Sequence, residues 1–175
     1  MDRLKKLTWA ALLIAADIVF ARIFYFYTPG NADRISLQFL ANALSGALLG
    51  PLWGALSCAG GDVLGMLINS SGMNFMPLLT LSAAVRGLLY GLVLYKKDVS
   101  FARTLIAVGL VTLIVDLGMN PVFLAMLYER AWLALLLAKI PVRIVTVPVY
   151  AGLLFAVSKG LSHAGIPKKL PAKKV

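Results

Sequence analysis

The chain has 175 residues, of which 61% are apolar and 14% charged, and a mean hydropathy of +0.89. Soluble domains carry roughly 45–50% apolar and about 25% charged residues, so a soluble globular fold, a disordered chain and a disulfide-stapled secreted module are excluded. Seventeen Lys and Arg oppose seven Asp and Glu, for a net charge of +10. In so apolar a chain that excess reads as charge sorted to one side of a membrane, not as a nucleic-acid footprint.

A membrane-spanning helix needs roughly 20 mostly apolar residues, and that ruler predicts six segments. The first covers 7–27 and ends at Thr28-Pro29-Gly30. Its Lys5-Lys6 start resembles the n-region of a signal peptide. Its apolar run is too long for one, however, contains Asp17 and Arg22 and lacks a small-x-small cleavage site, so a retained helix is expected. The second segment, 35–49, is short, and Gly50-Pro51 breaks it from the third, 51–69. The fourth, 77–95, follows the loop Ser70-Ser71-Gly72-Met73-Asn74; the fifth covers 102–128 and the sixth 132–160. The expected fold is an all-α integral membrane protein. A compact bundle of six transmembrane helices forms one domain over 1–160, and a basic tail follows over 161–175.

Six spans put both termini on one side of the bilayer. Arg3, Lys5 and Lys6, the 4/5 loop with Lys96, Lys97 and Arg103, and the tail with Lys159, Lys168, Lys169, Lys173 and Lys174 all fall there. The opposite side has Arg34 and Arg130, each beside an acid, Asp33 or Glu129. The positive-inside rule makes the cation-rich side cytoplasmic, with both the N and C termini on it. Topogenic charge, with some contact to anionic lipid, accounts for the tail.

The rare residues close off several chemistries. Cys58 is the one cysteine, so the sequence offers neither an internal disulfide nor a thiolate metal cluster. His163, the one histidine, sits in the basic tail, which leaves the spans without a His-dependent triad or a multi-His metal site. There is no G-x-x-x-x-G-K-[ST] and no helix-opening G-x-G-x-x-G, so ATP binding by a P-loop is excluded and any energy must come from elsewhere. No catalytic residue, metal or cofactor is expected in this chain.

Seven charges remain inside the spans: Arg22, Arg86, Lys139 and Arg143, with Asp17, Asp62 and Asp116. Each costs a few kcal/mol at the bilayer centre, so such residues face an interior and mark function by default. At ~1.5 Å per residue, Arg22 lies about 7 Å deep, Asp62 about 10 Å, Arg86 about 13 Å, and Arg143 and Asp116 about 15 Å from the outer face. Lys139 and Arg143 share a helix face at i,i+4, as do Asp116 and Asn120. One reading is internal ion pairing that holds the helices in register. The other is a polar cavity open to the outside, where the surplus cation and the planar Arg forks favour a carboxylate or phosphate ligand. Asp62 or Asp116 would accept from an amidine-like N–H edge, as on pterins and aminopyrimidines. Phe24, Tyr25, Tyr27, Phe75, Phe123 and Tyr128 lie near the outer ends, placed either to stack a flat ring or to form the interfacial aromatic belt.

Small residues recur at four-residue spacing: Ala11-x-x-x-Ala15, Gly46-x-x-x-Gly50-x-x-x-Gly54, Gly61-x-x-x-Gly65 and Gly87-x-x-x-Gly91. Each allows close helix approach. Ala11 and Ala15 lie in the cytoplasmic half of the first segment, away from the charges, as a docking strip for another membrane protein would.

Two stretches carry a family resemblance. Residues 50–65, GPLWGALSCAGGDVLG, resemble the G-P-x-x-G…G-x-x-x-D-x-x-G pattern of the substrate-binding S-components of energy-coupling factor (ECF) vitamin transporters. Residues 75–94, FMPLLTLSAAVRGLLYGLVL, resemble the F-x-P-x-x-T-L-S-A-x-x-x-G-x-x-Y-G-L stretch of the folate-specific (FolT-type) branch. The resemblance covers about residues 7–160, with the motifs confined to the second to fourth segments. It implies capture of folate from outside without chemical change, and residence as a multi-pass protein in a bacterial cell membrane. It also implies assembly with a membrane scaffold subunit and two cytoplasmic ATPases, which alone use ATP. By residue match Ala11 and Ala15 take the docking role, and Phe75, Thr80, Ser82 and Arg86 the binding role. Asp62 matches the superfamily acid, either binding or structural. Arg22, Tyr25, Asn120, Lys139 and Arg143 join the candidate site through their depth, charge or aromatic character. Gly60-Gly61 before Asp62 departs from the bulkier residue the pattern leads one to expect. Alternatives are an S-component for pantothenate or thiamine and an autonomous carrier. An intramembrane head-group transferase is disfavoured, because no membrane His or clustered Asp motif is present.

Overall fold

The computed structural model describes residues 3–27, 34–68, 77–98, 100–128 and 131–163. Phe75, the Thr28-Pro29-Gly30 turn, the loop from Ser70 to Asn74, Asp33, Glu129, Arg130 and the tail lysines from Lys168 onward lie outside them.

Helix α1 covers Arg3–Arg22 and ends on a basic residue, which suits the negative end of a helix. The chain then leaves the helix. Strand β1, Tyr25–Tyr27, pairs antiparallel with β2, Arg34–Ser36, with Tyr25 opposite Ser36 and Phe26 opposite Ile35. This corrects the expected continuous span to residue 27 and adds a small ribbon to an all-α design. Tyr-Phe-Tyr is apolar enough to read as helix, but aromatic residues favour the extended backbone once a partner strand is within reach. The Leu37 N–H donates to the Phe24 carbonyl at 3.3 Å and closes the ribbon.

Helix α2 covers Gln38–Leu49 and has no exposed residue: it is the enclosed helix of the bundle. Gly50 follows at φ +92°, a left-handed conformation that a side chain would strain, and makes the expected break. Helices α3, Pro51–Ile68, and α4, Pro77–Leu94, each begin on proline, whose missing N–H would have had no helical partner there. Helix α5, Phe101–Val111, passes through a π-helical stretch, Thr112–Met119, into α6, Asn120–Tyr128. Together these three make the fifth span. Helix α7 is Trp132–His163, about 48 Å long at 1.5 Å per residue, with Pro141 and Pro148 inside it.

Helices α2, α3 and α4 meet through glycine. A Cβ on Gly54 would lie 2.8 Å from the Gly46 Cα, and one on Gly46 would lie 2.9 Å from the Gly87 carbonyl oxygen. Backbone contact of this kind is how small residues gain packing where lipid supplies no hydrophobic drive. The main core joins α2, α4, α5, the π-helical stretch and α7 through Phe39, Tyr90, Val108, Val115, Tyr150 and Leu154. Phe39 and Tyr150 stack with centroids 3.8 Å apart and planes at 11°. A smaller cluster of Ala10, Leu13 and Leu49, with Trp9 and Trp53 against it, packs the other end of α1.

The outside is apolar. Leu52, Leu56, Leu67, Ile144 and Val145 are all exposed, whereas Asp17, Asn42, Ser57, Lys139 and Arg143 are buried. Four stretches are long and apolar enough to cross a membrane: Pro51–Ile68, Pro77–Leu94, Phe101–Met126 and Leu135–Leu161. With α1 and the short α2 they make six helical segments among the described residues.

Candidate functional site

The charges that the spans carry converge inside the bundle. On α1, Asp17 is 2% exposed, and its Oδ2 accepts a hydrogen bond of 3.4 Å from the Gln38 amide on α2. Helix α3 makes room for it at Gly61, where a Cβ would overlap the Asp17 carboxylate. One turn on, the Arg22 guanidinium lies across Gly65, whose Cβ would sit 3.3 Å from Nε. The glycines at 61 and 65 thus admit the charged side chains of α1, which accounts for Gly61 where a bulkier residue was expected.

On α3, Asp62 accepts a 2.8 Å hydrogen bond from the Thr80 hydroxyl of α4. The main ionic group lies between α4 and α7. Arg86 Nη2 is 3.0 Å from Asp116 Oδ1, and Arg143 Nη1 is 3.3 Å from Asp116 Oδ2. The Asn120 amide donates to Asp116 Oδ1 at 3.3 Å, one turn along the helix. The wider i→i+5 turns of the π-helical stretch carry Asp116, a feature frequent at functional sites. Lys139 is buried one turn from Arg143 on α7. Asp17 also lies within electrostatic reach of Arg86, Asp62 and Arg22, so α1, α3 and α4 share one field.

The candidate residues therefore divide. Arg86, Asn120 and Arg143 meet at Asp116, and Asp62 meets Thr80, while Arg22 lies against Gly65 and Lys139 is buried on α7. Tyr25 stands on β1 and is half-buried. Ser82 is buried, but its hydroxyl donates to the Leu78 carbonyl at 3.3 Å within its own helix. Ala11 and Ala15 are exposed, on the side of α1 away from buried Leu13 and Asp17. Phe75 lies outside the described residues.

Sequence reasoning gave no binding role to Asp17, Gln38, Asn42 or Ser57. Asn42 is 1% exposed and Ser57 3%, and their side-chain polar atoms, with Asp17 Oδ1, have no hydrogen-bond partner among the described residues. The signal was the i,i+4 pair Gln38 and Asn42 in an otherwise apolar helix. The assembled chemistry is that of binding. Arg forks grip carboxylates, and carboxylates with amides accept from and donate to a polar ring edge.

A bundle that is apolar outside and holds a charged, hydrogen-bonding interior is a membrane protein suited to taking up a polar solute. The family model described as "ECF transporter, substrate-specific component" matches residues 5–158. The chain is 34% identical, over 97% of its length and 97% of the relative's, to "Folate transporter FolT" of Clostridium novyi (strain NT). It is 33% identical to "Folate transporter FolT" of Leuconostoc mesenteroides subsp. mesenteroides, over 82% of this chain and 78% of that one. The solved structure "Crystal structure of FolT bound with folic acid" is similar at a TM-score of 0.70 and 29% identity, covering 88% of this chain and 89% of that chain. The chain belongs to the substrate-specific components of ECF transporters. It is a multi-pass cell-membrane protein of a transport family whose members bind substrate and are not enzymes.

Proposed function

We propose that this chain is the folate-binding S-component of an ECF importer, a single substrate-binding domain over 1–160 with a basic cytoplasmic tail over 161–175. One observation carries the reading: the buried Arg86–Asp116–Arg143 group sits in a chain 34% identical over 97% of its length to a folate transporter. Folate has a flat pterin with an amidine-like edge and a glutamyl tail with two carboxylates. Asp62, Thr80 and Asn120 suit the first; Arg22, Arg86, Lys139 and Arg143 suit the second. Tyr25 and Phe75 are proposed to stack on the ring, and Ser82 to line the site. The positive-inside rule supports cytoplasmic termini and capture from outside. Exposed Ala11 and Ala15 suit docking to a membrane scaffold subunit, with two cytoplasmic ATPases supplying the energy and no cofactor in this chain.

The test is ligand identification by mass spectrometry on the purified protein, followed by binding and uptake measurements. Folate is expected in the preparation, and uptake is expected only with the ATPase module present. Arg86→Ala should weaken binding, whereas Ala11→Trp should spare binding and stop uptake. Pantothenate, thiamine or no ligand in the preparation, or folate uptake into liposomes by this chain alone, would overturn the reading.

A further inference from the structure

Asp116 has a peculiar position for a residue at the centre of an anion site. Its Oδ1 takes Arg86 and Asn120 and its Oδ2 takes Arg143, so one internal carboxylate already lies between the two guanidiniums that a cargo carboxylate would seek. The three ionic side chains are enclosed without being sealed: Arg86 is 18% exposed, Asp116 11% and Arg143 10%. Two guanidiniums and one carboxylate leave one formal positive charge. With the carboxylate moved aside they present two, the charge that matches a dicarboxylate. Two guanidiniums brought to one carboxylate in an apolar interior repel each other, and a negative group between them offsets that repulsion. Asp116 also sits on the π-helical stretch, while its two partners come from α4 and α7, so a shift of one side chain is enough to free both.

We propose that Asp116 is an internal counter-ion that occupies the anion seat of the empty protein and yields it to a carboxylate of the cargo. It thereby sets how many negative charges the preferred cargo carries. This rests on the folate reading for the identity of the cargo, but its electrostatic core concerns the chain's own residues. A residue that merely tied α4 to α7 would, when removed, weaken every ligand alike. A counter-ion acts on charged ligands selectively.

Three ligands separate these cases: pterin with no carboxylate, pteroate with one and folate with two. Their Kd values would be measured on the full chain in detergent for the wild type, Asp116→Asn, Arg143→Gln and the double variant. Asp116→Asn should raise the preference for folate over pterin by about tenfold, the factor one modest charge interaction carries. Arg143→Gln should lower that preference, and the double variant, whose formal charge equals that of the wild type, should return it toward the wild-type value. An unchanged or reduced preference in Asp116→Asn would overturn the proposal.

Thermal melting without ligand gives a second arm that needs no cargo. Asp116→Asn should lower the midpoint, and adding Arg143→Gln should recover it. A double variant no more stable than Asp116→Asn overturns the counter-ion role. Should the wild type bind none of the three ligands, the folate reading fails, and this arm still decides the proposal.

Discussion

Gly61 is defined by the space it leaves. The Asp17 carboxylate occupies that space, and any Cβ at 61 must displace it. Overpacking of this kind costs about 1–3 kcal/mol, so Gly61→Ala should lower the thermal midpoint in detergent. Asp17→Ala in the same chain should recover part of the loss by emptying the contested volume. If Gly61→Ala melts with the wild type, the space is not needed. The presence of these charges was legible in the sequence, because an ionisable residue in an apolar run stands out and helical rise gives its depth. Their partners were not. Depth along a helix says nothing of direction around the bundle, so neither Asp62 with Thr80 nor Asp116 between two arginines could be read from spacing alone. Asp17 opposite Gly61 was hidden for the same reason: a glycine in G-x-x-x-G looks alike whether it admits a backbone or a carboxylate.

At the scale of elements, the four long apolar spans were legible because some twenty apolar residues in a row have few alternatives, and the break at Gly50-Pro51 was legible from its two breakers. The ribbon was not. Tyr25-Phe26-Tyr27 becomes a strand only through Arg34–Ser36, a non-local partner that no local periodicity shows. Glycines likewise look interchangeable until the helices are placed. A Cβ at Gly87 would overlap the Gly54 carbonyl and lie 2.7 Å from Cys58 Sγ, whereas one at Gly109 or Gly152 meets nothing within 4 Å. Gly87→Val should therefore abolish the monodisperse peak on size exclusion. Gly109→Ala and Gly152→Ala should leave it unchanged, each gaining up to about 1 kcal/mol of helix propensity. Equal behaviour of the three would remove the glycine junction from the account of the fold.

The whole molecule is inverted relative to a soluble protein, with leucine outside and charge inside, and the positive-inside rule assigns most of the cations outside the spans to the cytoplasmic face. The orientation that follows is open to direct test. Cys58 is 1% exposed and shielded from reagents, so a second, introduced cysteine can be read by itself. Phe26→Cys, on the ribbon, should react with an impermeant maleimide in intact cells. Lys97→Cys, in the loop after α4, should react only once the membrane is opened. The reverse pattern would turn the molecule over and with it the direction of capture.

Helix α2 has no exposed residue and holds only 12 residues, about 18 Å against a hydrocarbon layer of about 30 Å. A segment too short to cross the layer is tolerable where its ends are buried in protein. Its first turn begins after Leu37 with no side-chain cap, and the first residue, Gln38, donates to the Asp17 carboxylate. The backbone dipole of α2 therefore adds about half a positive charge at that end. The potential inside the bundle is thus partly a property of the main chain. Neutralising the cations one by one would lower it, but no side-chain substitution would erase it.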